Sequence, residues 1–474
     1  MSRPSRTIRP LDLAGKRVLV LGLGVNQGGV GVARWLIEQG ASVRVTDRQD
    51  EAALAASLAA LDGLPINYVL RGHREEDIDW AELVVRNPAV PRESSWLAMA
   101  RRRGVPVEME MTLFFRACPA PIIGVTGTKG KTTTATVLAT LLREQWPETI
   151  LAGNMGRSAV AELARIRPDQ PVVVELSSFQ LEGLGEQGLS PEVAVVTNIA
   201  EDHLDRYASM EEYARVKGAI GRNQSNEDWL VMPRGQAWVD AALIDASARR
   251  LTFGLETTPE DDALWVERGW FVGRLAGEEI ALAPTDTLPL PGLHSQRNGL
   301  AAIGAALVFG MDPAAIASAL PKIEPVQDRL ETVAVVDGVT WVNDTTATVP
   351  AAAVAALASF ADQPLVVIAG GSEKQIDLRP LADALAEQAR EVVLLDGAAT
   401  PRLRALLEGR ARLHGPFRSM AEAVEVAAGL AIPGAVVLLS PGCASFGMFR
   451  NEFHRGQAFR EAVAALQIER GGQP

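Results

Sequence analysis

The 474-residue chain has only two cysteines, Cys118 and Cys443, which excludes a disulfide framework and fits a reducing compartment; both read as small buried residues. No apolar stretch approaches the ~20 residues that a membrane helix requires, and the opening segment MSRPSRTIRPLDLAGKR lacks the apolar middle of a signal peptide. A cytoplasmic protein without membrane contact is the expectation. Positive charge is in deficit too: 46 basic residues against 58 acidic ones leave a formal net charge of -12. General binding to nucleic acid or anionic membrane is therefore not expected, and anionic ligands need local sites. Lysine is scarcer still, since only six of the 46 basic residues are lysines: Lys16, Lys129, Lys131, Lys217, Lys322 and Lys374. A lysine kept in so arginine-biased a chain is a candidate for work that needs a compact amine able to lose its proton.

What is present is the composition of a folded protein, 47% hydrophobic and 22% charged, too long for a single core of ordinary size. From Arg17 short apolar runs (VLVLGLG, ASVRVTD, AELVVRN, VPVEME) alternate with amphipathic segments such as VGVARWLIEQG and EAALAASLAAL. That alternation predicts a parallel sheet with helices on its faces. FFRACPAP, with two prolines, reads as a joint, and a second alternating unit follows with IIGVTG, PVVVEL and PEVAVVTN before β-like pieces RLTFG and WFVGRL and a helix at NGLAAIGAALVFG. LPKIEPVQDRL reads as a second joint. Beyond it, VAVVDGVTWVND is a hairpin candidate with Asp337-Gly338 suited to a type I′ turn, and PLVVIAGG, EVVLLDG and AVVLLSPG alternate with helical runs. Three α/β domains in series are expected, over residues 1–119, 120–324 and 325–474.

The stretch GVTGTKGKTTT, residues 124–134, lies between a predicted strand and a predicted helix. It misses the strict phosphate-loop pattern because Val125 stands where the first glycine belongs, but Gly127-x-x-Gly130-Lys131-Thr132 survives. Glycines let backbone N–H groups turn onto phosphates, the helix N-terminus favours anions, Lys131 supplies charge and Thr132 can reach Mg²⁺. The alternative is a plain glycine-rich strand-to-helix turn, with Lys129 merely solvated. In VLVLGLGVNQGGVGVARWL, Gly22 and Gly24 begin a dinucleotide-type fingerprint whose third glycine is displaced by Gln27, and Asp47 ends the next strand, so NAD is the generic reading there.

GVTGTKGKTTT, VVVELSSFQLEGL, VVTNIAEDHLDRY, PGLHSQRNGLAAIGAAL, WVNDTTAT and LLSPGCASFGMFRNEFHRG occur in the order and approximate spacing of the Mur ligases, the ATP-dependent amino-acid ligases that build the peptidoglycan stem peptide. The chain resembles that family over nearly its whole length. The resemblance implies a Rossmann-like N-terminal domain for a UDP-sugar, a central mononucleotide-binding ATPase domain and a C-terminal Rossmann-like domain that binds the amino acid. It is strongest to the branch that adds D-glutamate to UDP-N-acetylmuramoyl-L-alanine through an acyl phosphate, in the cytoplasm, as part of cell-wall synthesis and hence of cell shape and division. A monomer is expected.

By the same resemblance, ATP meets Gly127, Thr128, Lys129, Gly130, Lys131, Thr132 and Thr133, while Asn298, Arg329 and Asp344 hold adenine, γ-phosphate and ribose; His294 opens the Asn298 motif. ATP would thus engage residues of two domains, whose closure excludes water from the acyl phosphate. Two Mg²⁺ ions are implied, with Thr132, Glu175, His203 and Lys217 as ligands, the last as a carbamate formed with CO₂; a neutral amine can be so converted and a guanidinium cannot. Catalysis would rest on Lys131, Glu175, His203 and Lys217. The rival readings are a solvated acid ending a strand for Glu175, filler for His203 and a solvated helix lysine for Lys217. The UDP part would meet Val25, Asn26, Gln27 and Gly28, with Asp47 and Arg48 near uridine and Asn87 and Asn154 as further contacts; Thr348, Lys374, Ser445 and Phe453 would hold glutamate.

The chain departs from the family where His294-Ser295 replaces an HN pair, where Thr346 takes a usual lysine position, and where Asn451-Glu452-Phe453 reorders NFE. An acid, Glu452, thereby stands near the amino-acid pocket, so the identity and chirality of the added residue stay open. L-glutamate addition or a folylpolyglutamate synthetase is the alternative of the same chemistry, although the folate-type enzymes do not need the VLVLGLG domain. A nucleotide-binding regulator or P-loop motor is the alternative of another class; a regulator could lack Glu175, His203 and Lys217.

Overall fold

The computed structural model describes residues 11–25, 27–153, 158–202, 206–257, 262–373 and 376–470. The first sheet holds β1 (Arg17–Leu21), β2 (Ser42–Thr46), β3 (Ile66–Val69), β4 (Leu83–Arg86) and β5 (Val107–Met109) in the order β3-β2-β1-β4-β5, all parallel. Its order reverses between β1 and β4, the place where open α/β sheets form a binding crevice at their carboxyl ends. The second sheet contains β6 (Ile122–Thr126), β7 (Ile150–Gly153), β8 (Val172–Glu175), β9 (Val193–Val196), β10 (Trp229–Pro233), β11 (Arg249–Phe253), β12 (Ala263–Glu267), β13 (Trp270–Leu275) and β14 (Glu278–Pro284). Their order is β14-β13-β12-β11-β10-β9-β6-β8-β7; β7 to β12 pair in parallel, and β12, β13 and β14 form an antiparallel edge.

The third sheet holds β15 (Glu331–Val336), β16 (Val339–Asn343), β17 (Leu365–Ala369), β18 (Glu391–Leu395), β19 (Leu413–Phe417) and β20 (Val436–Leu439) in the order β15-β16-β20-β17-β18-β19. Only β15 and β16 are antiparallel. The turn between them carries Asp337 at φ 51° and Gly338 at φ 75°, the pair of left-handed residues a type I′ hairpin needs. The central strands β6, β8 and β9 are buried along their whole length, because helices cover both faces of the parallel sheet and leave no side for polar alternation.

By compactness the chain forms two units, Met1–Thr287 with Arg297–Lys322, and Leu288–Gln296 with Ile323–Pro474. Within the first unit the first two sheets share one apolar core that runs from Val18 and Val20 through Phe114 and Phe115 to Val172 and Val174. The expected joint FFRACPAP is therefore only partly a connector. Its Phe114 and Phe115 lie at 0% and 2% exposure on the helix Glu110–Ala117, and extended chain begins at Cys118, where the nearby prolines discourage more helix. Cys443 is buried as expected, whereas Cys118 is only half-buried; neither forms a disulfide.

A buried ion cluster also crosses this unit. Arg86, which ends β4, places Nη2 3.2 Å from Glu182 Oε2 and donates through Nη1 to the Val90 carbonyl at 3.0 Å. Glu182, on the helix Ser178–Glu186, also accepts from Tyr207 Oη at 3.1 Å and from Arg206 Nη2 at 3.3 Å. Both side chains of the Arg86–Glu182 pair are essentially inaccessible to water, so removing one partner strands the other charge. Arg86→Met should lower the unfolding free energy by about 3 kcal/mol, the low end for a broken buried pair because Arg206 and Tyr207 still hold Glu182. Urea unfolding checks this, and a midpoint equal to that of the parent protein would contradict it.

Candidate active site

The phosphate-loop candidate forms a turn between β6 and the helix Lys131–Gln145, at the carboxyl edge of the central sheet. Gly127 and Gly130 have φ of 151° and 82°, and a Cβ on either would collide with a neighbour: Thr197 Oγ1 for Gly127 and the Asn298 amide for Gly130. Glycine is thus required twice over, by backbone conformation and by close approach. The chain that follows β9 braces the turn. Thr128 N donates to the Asn198 carbonyl at 2.9 Å, Lys129 N to Asn198 Oδ1 at 3.0 Å, and Asn198 Nδ2 back to the Lys129 carbonyl at 2.9 Å. Thr197 Oγ1 donates to that same carbonyl at 2.5 Å. Lys129 is not simply solvated; its Nζ lies 3.1 Å from Asp202 Oδ2. Lys131 folds over the loop, its Nζ donating to the Gly127 and Thr128 carbonyls at 3.1 Å each.

Lys217 and Glu175 come to the same place. Lys217 ends the helix Met210–Lys217, which Ser209 caps by accepting from Glu212 N. Its side chain is 1% exposed, and Nζ donates to the Gly127 carbonyl at 2.9 Å and lies 4.9 Å from the centre of the Tyr213 ring. Burial pulls its pKa well below the ordinary lysine value, and the charges of Lys131 and Lys129 push the same way against Asp202 and Glu175. The amine is thus biased toward its neutral form, the form that reacts with CO₂. Glu175 ends β8 in register with Val125 on β6; it is 2% exposed, and its Oε2 is buried without a hydrogen-bond partner. An orphaned carboxylate oxygen beside an amine biased toward its neutral form fits a cation site of oxygen ligands. Among the described residues, which do not include His203, no group of three His, Cys, Asp or Glu could hold a metal ion. Thr132 and Thr133 occupy the first turn of the loop's helix, and Asn298 is buried against Gly130.

In the first sheet, Gly22 and Gly24 follow β1 at φ 89° and 68°, opposite Asn87, which follows β4. Asp47 is turned inward: Oδ2 accepts from Leu23 N at 2.8 Å and Gly24 N at 2.9 Å, and Oδ1 from Gln49 N at 2.8 Å. Its carboxylate closes the glycine turn, whereas the neighbouring Arg48 and Val25 are exposed. Gly28, in the first turn of the helix Gln27–Glu38, lies beside Glu110, a residue that sequence reasoning missed; Glu110 accepts from Ser158 Oγ at 2.6 Å and from Ala159 N at 2.7 Å, and burial raises its pKa. Of the other expected contacts, Asn26, Asn154 and Lys374 lie outside the described residues, as does the side chain of Gln27.

In the second unit Asp344 follows β16, its Oδ2 accepting from Ser440 Oγ at 2.8 Å and its Oδ1 from Leu330 N at 3.3 Å, next to Arg329. Thr348 lines a small cleft with Ser372, Glu373, Gly442 and Cys443. Ser445 is buried beyond Cys443, and Phe453 is 56% exposed on the first turn of the helix Glu452–Glu469. Arg455, fully buried on that helix, ties the two loops together by donating to Thr345 Oγ1 at 3.0 Å, the Thr345 carbonyl at 2.8 Å and the Cys443 carbonyl at 3.2 Å. It too was not singled out from sequence, where nothing distinguishes it from a surface arginine.

Three family models match in series: the Mur ligase MurD-like N-terminal domain over residues 16–108, the Mur ligase middle domain over 125–306, and the Mur ligase glutamate ligase domain over 328–443. The chain is 49% identical to the UDP-N-acetylmuramoylalanine--D-glutamate ligase of Roseiflexus sp. (strain RS-1), over 96% of this chain and all of that protein. It is 38% identical to the ligase of the same name from Symbiobacterium thermophilum, over 95% of this chain and 98% of the relative. Among solved structures, the UDP-N-acetylmuramate-alanine ligase MurC of Thermotoga maritima has the same fold at a TM-score of 0.59 and 22% identity, covering 95% of this chain and 100% of that one. The MurF ligase of Thermotoga maritima, solved with ADP, also has a TM-score of 0.59, at 16% identity over 97% and 100% of the two chains.

Burial pushes the Asp344 carboxyl up to about 7, against the Ser440 hydrogen bond and the nearby Arg329 charge, which lower it. In the unfolded chain it titrates near ~3.9, so between those values the folded protein holds a proton that the unfolded one has lost. This contribution to stability is present at low pH and disappears as pH rises through about 7. Asp344→Asn should therefore gain stability relative to the parent protein between about pH 5 and pH 8, read as urea midpoints. A difference that does not change with pH would contradict the assignment.

Proposed function

The chain belongs to the Mur ligase family, and from that premise we propose that it joins D-glutamate to UDP-N-acetylmuramoyl-L-alanine at the expense of ATP, a step in cytoplasmic peptidoglycan precursor synthesis. The observation that carries this reading is the full-length match to relatives of that name, together with a phosphate loop on which Lys217 and Glu175 converge.

A carboxylate is a poor acylating agent because its leaving group would be oxide. Transfer of the ATP γ-phosphoryl to the substrate's alanine carboxylate forms an acyl phosphate and releases ADP. The glutamate amine then attacks the acyl carbon, and the tetrahedral intermediate expels phosphate as the amide forms. Transfer between anions calls for positioning and positive charge more than for covalent catalysis. With the Thr128 and Lys129 N–H groups taken by Asn198, the N–H groups at the start of the helix Lys131–Gln145 and the Lys131 amine cradle the phosphates against the glycine loop of residues 127–132, while Asn298, Arg329 and Asp344 hold adenine, γ-phosphate and ribose. Thr132, Glu175, His203 and Lys217 as its carbamate would hold Mg²⁺, two ions in this reading, and the metal when bound would supply charge neutralisation for the transfer. The Lys217 amine, in its neutral form, adds to CO₂ and loses a proton, so a side chain that is otherwise cationic becomes an anionic oxygen ligand.

On the substrate side, the glycine turn after β1, with Val25 to Gly28, receives the UDP pyrophosphate, Asp47 and Arg48 lie toward uridine, and Asn87 and Asn154 complete the contacts. Thr348, Lys374, Ser445 and Phe453 hold glutamate, whose two carboxylates call for the charge and hydroxyls in that set. The domains run over residues 1–119, 120–324 and 325–474, and the enzyme acts as a monomer.

Phosphate release measured with UDP-N-acetylmuramoyl-L-alanine, ATP and Mg²⁺ should depend on D-glutamate and not on L-glutamate. Dependence on L-glutamate would reassign the amino acid, and no release with any amino acid would reject the ligase reading. Lys217→Ala should lose about 100-fold or more in kcat and regain part of it with short-chain carboxylates that replace the carbamate oxygens, by analogy with the loss of other charge-stabilising groups. Unchanged turnover in this variant would remove the carbamate.

A further inference from the structure

Six non-glycine residues have a left-handed backbone among the described residues. Four of them, Arg71, Arg268, Ala276 and Asp337, directly precede a glycine, the ordinary setting for a tight turn. The other two are Asp328 at φ 65° and Leu330 at φ 44°, and they flank Arg329. Asp tolerates this conformation, but for leucine it is an outlier that persists only where the surroundings over-determine it.

The surroundings here are specific. Asp328 N donates to Glu331 Oε2 at 2.8 Å, Leu330 N to Asp344 Oδ1 at 3.3 Å, and Thr346 Oγ1 to the Asp328 carbonyl at 2.9 Å. The buried Asp328 carboxylate accepts from Asn343 Nδ2 at 2.8 Å and from Arg460 Nη1 at 2.7 Å; Arg460 also lies 3.0 Å from Glu331 Oε2. Gly456, one turn earlier on the helix Glu452–Glu469, lets this helix approach, since a Cβ there would fall on the Asp328 carboxylate. Two acids fix the turn, and Arg460 is the cation that holds them side by side. The same turn reaches Asp344 through Leu330 N, so the two residues assigned to nucleotide in this unit share one support.

We infer that Arg460 is a positioning residue for phosphoryl transfer: through Asp328 and Glu331 it holds the strained turn that presents Arg329 to the γ-phosphate. The inference rests on the reading of Arg329 given above. Arg460→Met should lower kcat about 10- to 100-fold and raise KM for ATP, the range seen when outer supports of a site are lost, while KM for UDP-N-acetylmuramoyl-L-alanine stays within about twofold. Arg460→Lys, which keeps the charge but not the fork, should recover part of kcat. Leu330→Gly keeps every backbone hydrogen-bonding group and removes the backbone restraint along with a side chain partly buried against this unit's core, so in folded protein it should lower kcat by about 10-fold and raise KM for ATP while KM for UDP-N-acetylmuramoyl-L-alanine stays within about twofold, a split that lost packing alone would not produce. Full kcat in folded Arg460→Met overturns the inference; if that variant does not fold, full kcat in Leu330→Gly overturns it instead. Arg329→Ala separates the two levels: wild-type turnover there rejects the reading of Arg329 itself, whereas loss there with both support variants unaffected rejects only the role of Arg460.

Discussion

An amine kept out of water beside a glycine carbonyl is the constraint around which the central domain is built. Lys217 Nζ, 2.9 Å from the Gly127 carbonyl and 1% exposed, stands next to two further lysines of the same loop. Burying a cation there without a full counter-charge is unfavourable, which biases the amine toward its neutral form. Everything that creates this situation also shapes the glycine loop: glycines that leave no room for a Cβ, a Thr197–Asn198 segment that locks the loop, and an acid on β8 with one orphaned oxygen.

The second unit solves a different problem, which is to hold exposed chemistry on loops without flexibility. Arg455 is satisfied by carbonyls and a hydroxyl of two loops, and Arg460 by two acids of a third. Both come from the helix Glu452–Glu469, so one rigid element fixes the turn bearing Arg329 and the segments leading to Thr348 and Ser445. Planar guanidinium groups suit this work because their donors diverge at fixed angles and never lose their charge. The arginine bias of the chain, which looks compositional, thus coincides with the structural demand at these two positions.

Much of the architecture was legible because it rests on local signals. Valine-rich runs such as VLVL and VVVE are strands because both faces are covered, and the Asp337-Gly338 turn is set by two residues' own backbone preferences. Strands β3, INYV, and β19, LHGPF, carry no such signal: they lie at sheet edges, half-exposed, where polar residues and even a proline are tolerated. The helix Glu110–Ala117 looked like part of a joint since its apolar residues adjoin prolines, and only packing into the shared core makes it structural.

The site divides in the same way. By itself the sequence determined the glycine turn, the lysine within it and the order of the motifs, since each depends on residues a few positions apart whose conformational and charge requirements are local. Tertiary structure alone decided that Lys217 loses its solvent, that Glu175 ends in register with Val125, that Asp47 spends its oxygens on its own glycine turn, and that Arg329 sits between two left-handed residues. Each of these is a matter of burial or of contact between distant segments. Dielectric environment and hydrogen-bond partnership are properties of a packed neighbourhood, and no short stretch of chain carries them.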